Sequence, residues 1–198
     1  MSENTNEQVT SILFCGVGGQ GVLLASNLTT AVALEAGMDV KKTEVHGMAQ
    51  RGGNVDSHVR FGKTVHSPII PQGEVNFILA LEQVEPLRWA HMGTKDTWVI
   101  SNTQKIHSLF TGTGIAEYPE GAQEEVKRVF PNTIYVDALK LAEELGNART
   151  VNVILLGVMA RKMDFELEHW QAAIKKNMKP KLVDLNLKAF ETGWNYAG

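Results

Sequence analysis

The chain has a single cysteine, Cys15, among its 198 residues. An iron–sulfur cluster takes four thiolates in its usual forms, so this chain cannot carry one by itself. Disulfides within the chain are excluded by the same count, and a reducing, cytoplasmic setting is expected. Long hydrophobic runs are also missing. The longest, Val151 to Ala160, is interrupted by Asn152 and Gly157 and falls well short of the roughly 20 residues of a membrane helix, so no membrane span is expected. Positive charge is not in excess, with a formal net charge of -3 and a pI of about 6.1. That balance argues against a nucleic-acid partner, which calls for a basic face, and leaves anionic ligands open because one loop can hold an anion. No metal-ligand spacing, Gly-Lys-Ser/Thr phosphate loop or serine nucleophile elbow occurs. The start, Met1 to Gln8, is polar, without the charged-then-apolar order of a signal peptide, and residues 1–10 read as a flexible tail.

What is present is an α/β pattern. With 43% hydrophobic and 21% charged residues, residues 1–198 are expected to form one domain with a substantial core. Ser11 to Gly16 reads as a buried strand ending at glycines, Val22 to Ala36 as a helix closed by Gly37, and Asp39 to Val45 as the next strand. Cys15, behind Ile12-Leu13-Phe14, reads as a small core residue. Asn54 to Phe61 alternates like a strand, and Gly62-Lys63 predicts a turn into Thr64 to Ser67, making a β-hairpin insertion. Strands follow at Val75 to Leu81, Thr97 to Ser101 and Thr133 to Val136, with helices at Glu82 to His91 and Ala122 to Val129. From Asp137 the pattern is helical: Ala138 to Leu145, Asn152 to Lys162, Glu166 to Lys176, with Asp164 placed as its cap, and Lys181 to Thr192. The part from 150 to 198 either covers a sheet face or crosses onto a partner. The expected fold is Rossmann-like, a mainly parallel sheet flanked by helices.

Two glycine-dense segments carry the chemistry. Gly16-Val17-Gly18-Gly19-Gln20-Gly21 has the Gly-x-Gly-x-x-Gly spacing between a strand and a helix. Such a turn lets backbone approach a ligand closely, and the helix start offers free amides and a positive dipole end to a phosphate. A tight turn without ligand is an equal reading of the same glycines. A dinucleotide enzyme also needs an acid ending the second strand, and Glu44 is the placed candidate. It is followed by Val45-His46-Gly47-Met48-Ala49-Gln50-Arg51-Gly52-Gly53, a polar glycine-rich loop that argues against ordinary nicotinamide binding. Arg51 brings a fixed charged fork, Gln50 neutral hydrogen bonding and His46 proton exchange, while Gly47, Gly52 and Gly53 expose backbone. Arg51 and His46 are the catalytic candidates; Gly16, Gly18, Gly19, Gln20, Gly21, Gln50, Gly52 and Gly53 are the binding candidates. Both loops are expected at the carboxyl edge of the sheet, where open α/β sheets bind ligands. His58, His66, Glu82 and Glu85 read as surface or structural residues.

Gly16-Val17-Gly18-Gly19-Gln20-Gly21-Val22 paired with His46-Gly47-Met48-Ala49-Gln50-Arg51-Gly52-Gly53 resembles the signature of the gamma-type domain of 2-oxoacid:ferredoxin oxidoreductases. The second motif is similar to the indolepyruvate branch, in which this domain is the beta subunit. Pro71 to Glu74, Leu79 to Glu82, Asn152 with Leu156-Gly157, and Pro180 to Gly193 with Asn186 and Phe190 resemble that subunit in order and spacing, so nearly the whole chain is covered. The resemblance implies an obligate small subunit completing the oxidative decarboxylation of an aryl pyruvate to an acyl-CoA. It also implies a large alpha subunit carrying thiamine diphosphate and 4Fe-4S clusters, ferredoxin as indirect partner, and coenzyme A at the assembled site. A self-sufficient nucleotide-binding oxidoreductase and a noncatalytic docking subunit are the alternatives.

Overall fold

The structure is a computed structural model that describes residues 9–46, 53–106 and 118–197, without the side chains of Val45 and His46. Its centre is a six-stranded sheet in the order β2-β3-β1-β4-β5-β6, with β1 at Thr10–Val17, β2 at Asp39–His46, β3 at Asn54–Gly62, β4 at Val75–Ala80, β5 at Gly93–Asn102 and β6 at Thr133–Val136. Among the described residues β3 alone opposes the others, pairing antiparallel with both β1 and β2, whereas β1, β4, β5 and β6 pair in parallel. Thr10 already belongs to β1, so the expected tail 1–10 is shortened at its end; residues 1–8 lie outside the described residues.

The apolar run of β1 is buried on both faces, as in the centre of a covered sheet. Ile12 and Phe14 join one core, Leu13 and Cys15 the other. The larger core lies beneath α1 (Val22–Glu35), α5 (Val151–Ala160), α6 (Leu167–Asn177) and α7 (Pro180–Trp194). Of the two expectations for the C-terminal helices, the structure takes the first: they cover a face of their own sheet. Helix α5 is apolar all round because it is buried all round, every residue from Val151 to Ala160 being inside. Its contact with α7 is a glycine contact, since a Cβ on Gly157 would lie 2.2 Å from the Phe190 carbonyl oxygen and one on Gly193 would lie 1.9 Å from that of Ile154. The smaller core lies beneath α2 (Glu85–Arg88), a 3-10 turn at Ala90–Met92 and α3 (Ala122–Val129). Between β6 and α5 sits α4 (Ala138–Glu144), capped by the Asp137 carboxylate accepting from the Lys140 amide at 3.2 Å.

Three expectations are corrected. Asn54 to Phe61 does not turn back at Gly62-Lys63 onto Thr64 to Ser67: β3 pairs with β2 and β1, and residues 64–67 form no strand. The hairpin is β2–β3, and its connection is the segment between His46 and Asn54. A local turn signal lost to a longer ladder that buries Val55, Val59 and Phe61. The helix expected over Glu82 to His91 is one turn, Glu85–Arg88, beside a 3-10 turn; Pro86 sets its late start, since proline is tolerated in a first turn and not farther inside a helix. Asp164 does not cap α6; Glu166 stands at that position, with no side-chain cap bond.

Candidate functional site

Because β1 and β2 both oppose β3, they end at the same edge of the sheet, and each is followed in the sequence by one of the two glycine segments. They are not on adjacent strands, as β3 lies between them, which separates β2 from β1 by about 10 Å. A ribose-holding acid belongs at the end of the strand next to β1, and with β3 in that place Glu44, although it stands near the end of β2, is set one strand too far away; it pairs with Lys42 on its own strand. Gly47 to Gly52, and with them Gln50 and Arg51, lie outside the described residues, and of His46 only the backbone, in register with Val55, is described.

The first loop is described in full. Gly19 has φ 101° and Gly21 φ 91°, values that favour glycine. Gly21 is also the N-cap of α1, and a Cβ there would sit 2.3 Å from the Asn152 amide nitrogen, which donates to the Gly21 carbonyl at 3.1 Å. Gly16, still within β1, is hemmed in by Gln20 Oε1 at 2.8 Å and Leu81 Cβ at 3.0 Å from where its Cβ would lie. Gln20 is a strut: its Oε1 accepts from the Val17 amide at 2.6 Å and its Nε2 donates to the Leu81 carbonyl at 2.8 Å. It fixes the loop to the end of β4 rather than presenting its amide outward. Gly18 donates its amide to the Gly53 carbonyl at 2.8 Å, joining the first glycine segment to the end of the second.

The loop opens into a cleft of about 310 Å³ lined by Val17, Gly18, Gly19, Gly21, Val22, Leu23 and Val55. The first turn of α1 faces it with no acidic residue in that turn, so no side chain of that turn offsets the partial positive charge of the helix start. The arrangement suits the phosphate of an anionic ligand.

On the other side of Val17 the turn after β4 makes a second, smaller crevice of about 170 Å³, lined by Asn54, Glu82, Val84, Glu85, Arg88, Ile106, Tyr118 and Pro119. The chain leaves β1 toward α1 on one face and β4 toward α2 on the other, so this is the switch point of the sheet. Glu82 and Glu85 are buried, not surface groups. Glu82 Oε2 accepts from the Val84 amide at 2.7 Å, and its Oε1 accepts from the Ile106 amide at 3.3 Å and from the Tyr118 hydroxyl. Burial, and then the bond to Glu82, hold the Tyr118 phenol well above its ordinary range. Glu85 Oε1 accepts from Arg88 Nε at 3.2 Å while its Oε2 is buried with no hydrogen-bond partner, and burial raises its pKa.

Along the same face of β3, His58 Nε2 approaches Asp56 Oδ2 at 3.4 Å under Trp89, both side chains nearly enclosed. Sequence reasoning did not single out Asn54, Asp56 or Arg88. Asp56 sits on the polar face of β3 and is buried there, a cover that the alternation of the strand does not announce, whereas Asn54 at the strand's start is exposed. Among the described residues no group of three or more His, Cys, Asp and Glu is arranged to hold a metal. Cys15 is fully enclosed, and burial first, then Glu85, raises its thiol pKa well above the usual value.

Residues 11–196 match the family pyruvate ferredoxin/flavodoxin oxidoreductase. Indolepyruvate oxidoreductase subunit IorB of Archaeoglobus fulgidus is 44% identical over 191 residues, covering 94% of each chain. Among solved structures, pyruvate oxidoreductase subunit PORC of Thermotoga maritima superposes with a TM-score of 0.71 at 22% identity, covering 94% of this chain and 96% of that one. The 2-oxoglutarate:ferredoxin oxidoreductase of Magnetococcus marinus, with 2-oxoglutarate, coenzyme A and succinyl-CoA bound, superposes at 0.69 with 16% identity, over 96% of this chain and 31% of the larger one. Taken with the paired glycine loops at the sheet edge, these likenesses place the chain in the pyruvate ferredoxin/flavodoxin oxidoreductase family, as a small subunit of the 2-oxoacid:ferredoxin oxidoreductases.

Proposed function

We propose that this chain completes an oxidoreductase acting on indolepyruvate or a related aryl 2-oxoacid, and that its glycine cleft receives the anionic part of coenzyme A. The observation that carries the reading is the cleft itself: a helix start with no acid in its first turn, open space beside Gly19, and Gly18, one of the lining residues, bonded through its amide to the Gly53 carbonyl. A phosphate fits this donor set, since the described lining residues include the start of a helix and no carboxylate. Thiamine diphosphate and 4Fe-4S clusters, which supply the decarboxylation and the electron path when bound, belong in this reading to a large alpha subunit; the single enclosed cysteine is unsuited to a cluster. Ferredoxin is then an indirect partner. Residues 1–198 act as one gamma-type domain in the cytoplasm. The relative named for indolepyruvate supports the substrate class, and the larger neighbour with bound coenzyme A supports the ligand.

The residues of this chain bind and orient; nothing in the described part suits bond-making. Gln20 and Asn152 hold the loop in shape, the first turn of α1 faces the anion, and Arg51, Gln50 and His46 belong to the second glycine-rich motif of the sequence. Leu23 lines the cleft in the first turn of a helix that tolerates an acid. In the enzyme assembled with its large subunit, Leu23→Asp is expected to raise the KM for coenzyme A about tenfold, a change of about 1.4 kcal/mol, with kcat and the KM for the 2-oxoacid nearly unchanged. An unchanged coenzyme A KM sinks the assignment of the cleft. Arg51→Lys, which keeps the charge and loses the fork, is expected to lower turnover roughly tenfold at saturating large subunit.

A further inference from the structure

The crevice beyond Val17 contains an arrangement that the binding of an anion at the glycine cleft does not by itself require. Arg88 stands in it half exposed, its Nε donating to Glu85 Oε1 at 3.2 Å. With the Asn54 amide turned so that Oδ1 faces the guanidinium, that oxygen accepts from both Arg88 Nη atoms, at 3.0 and 3.3 Å. Asn54 follows Gly53 directly, and the Gly53 carbonyl accepts the Gly18 amide at 2.8 Å. Val17 and Asn54 are register partners where β1 and β3 meet at the sheet edge. A chain of contacts therefore runs from an enclosed carboxylate, through a guanidinium and an amide, to the backbone of the glycine cleft.

We infer that Arg88 is a positioning residue for the anion-binding cleft, holding the start of β3 against Gly18 from the opposite face of the sheet, with Glu85 fixing the guanidinium and Asn54 receiving it. This rests on the reading that the cleft takes the anionic part of coenzyme A.

Two features favour positioning over stability. Glu85 is only 4% exposed, yet its Oε2 has no hydrogen-bond partner; a buried carboxylate so incompletely paired contributes little to stability, and an apolar pair of similar size does as well or better. The geometry is also specific to arginine. One planar fork reaches a carboxylate through Nε and an amide oxygen through both terminal nitrogens, which a lysine ammonium on a flexible stem cannot reproduce. Asn54 is exposed, so changing it tests the link without opening the core.

The test uses the enzyme assembled with its large subunit, with coenzyme A as the probe, followed by steady-state kinetics and by equilibrium binding of coenzyme A in the absence of 2-oxoacid. Asn54→Leu and Arg88→Met are each expected to weaken coenzyme A about tenfold in KM and in binding, with kcat within about twofold and the KM for the 2-oxoacid unchanged. The double variant is expected to be no worse than the weaker-binding single, because both remove one link. Asn54→Asp, which keeps an acceptor for the fork, is expected to recover the affinity lost in Asn54→Leu to within about threefold, and Arg88→Lys is expected not to.

Loss in Arg88→Met with wild-type affinity in Asn54→Leu overturns the inference, since Arg88 would then touch the ligand itself or act elsewhere. Additive losses in the double variant overturn it as well. If Leu23→Asp weakens coenzyme A and neither Arg88→Met nor Asn54→Leu does, the cleft assignment stands and the positioning role fails. If Leu23→Asp has no effect either, both fall together. Should Arg88→Met assemble poorly, the Asn54 pair, Leu against Asp, decides alone.

Discussion

The two faces of the sheet are built on different principles. Beneath α1 and α5 to α7 lies the larger core, with Trp170 stacked on Phe190 at 5.5 Å and edge-on to Phe165 at 6.0 Å, and α5 wholly enclosed. Beneath α2 and α3 lies a smaller apolar patch, and beside it Asp56, His58, Glu82 and Glu85 are all buried. The first face is dominated by apolar burial, and the polar groups it encloses, Ser26, Thr29, Asn152 and Asn186, are uncharged. The second retains charged groups that it satisfies incompletely, with Asp56 Oδ2, both His58 ring nitrogens and Glu85 Oε2 lacking hydrogen-bond partners. Groups of that kind lower stability unless their pairing is complete. The contrast teaches that the helical face sets how firmly the chain folds, and that the polar face adjoins the edge where the glycine loops must be held in place.

The contrast is broken most severely at the glycine contact of the helical face. Gly193→Val places a side chain where the Ile154 carbonyl already lies 1.9 Å from an added Cβ, so α5 and α7 must separate. This variant is expected to be unfolded or insoluble, and circular dichroism of whatever can be recovered checks it. Trp170→Ala, on the same face, removes a fully enclosed side chain and is expected to cost about 3–5 kcal/mol in urea unfolding. A comparable cost from removing any one side chain of the polar face would erase the proposed division.

Gly21→Ala comes next, because it sets φ 91° against a β-carbon and meets the Asn152 amide at 2.3 Å. A loss of about 2–4 kcal/mol is expected; adding Asn152→Ala relieves the steric part and leaves the backbone part, which a double-mutant cycle measures.

The polar face is probed more gently through pH. Burial raises the Glu85 pKa above its usual 4.5, so between that value and the folded one the native state binds more protons than the unfolded state. Stability from this group is therefore fully present below 4.5 and is lost as pH rises through the folded pKa. Glu85→Gln is expected to flatten that part of the stability curve and to leave the chain no less stable at neutral pH. A wild-type slope retained in Glu85→Gln assigns the pH dependence to another group. The smallest effect is expected at Cys15, which is enclosed and held as a thiol: alkylating reagents should leave it unmodified in the folded chain and react once urea unfolds it.

Much of this architecture was legible in the residues. The strand, glycine loop and helix from Thr10 to Glu35 could be read because the apolar run, glycine spacing and helix closure at Gly37 all point one way. The order of helices after Asp137 was legible for the same reason. The hairpin was misplaced because Gly62-Lys63 is a local turn signal, while the pairing of β3 with both β1 and β2 is a contact between distant segments that no local pattern announces. The switch-point crevice was missed altogether. Glu82, Glu85 and Arg88 look like the start of a surface helix, whereas in the structure the helix is one turn and Glu82 and Glu85 are buried.

What the sequence by itself determined is the family, through two glycine-rich motifs whose residue types are dictated by backbone geometry and so survive as readable words. It also determined, through the cysteine count, that this chain alone cannot hold a cluster. The tertiary structure decided how those motifs stand to one another. Glycine spacing specifies a turn but not its neighbour, and only the insertion of β3 between β1 and β2 brings the ends of β1 and β2 to one edge and joins Gly18 to Gly53. It decided as well which charges are buried, because burial depends on what packs above a side chain from far along the chain.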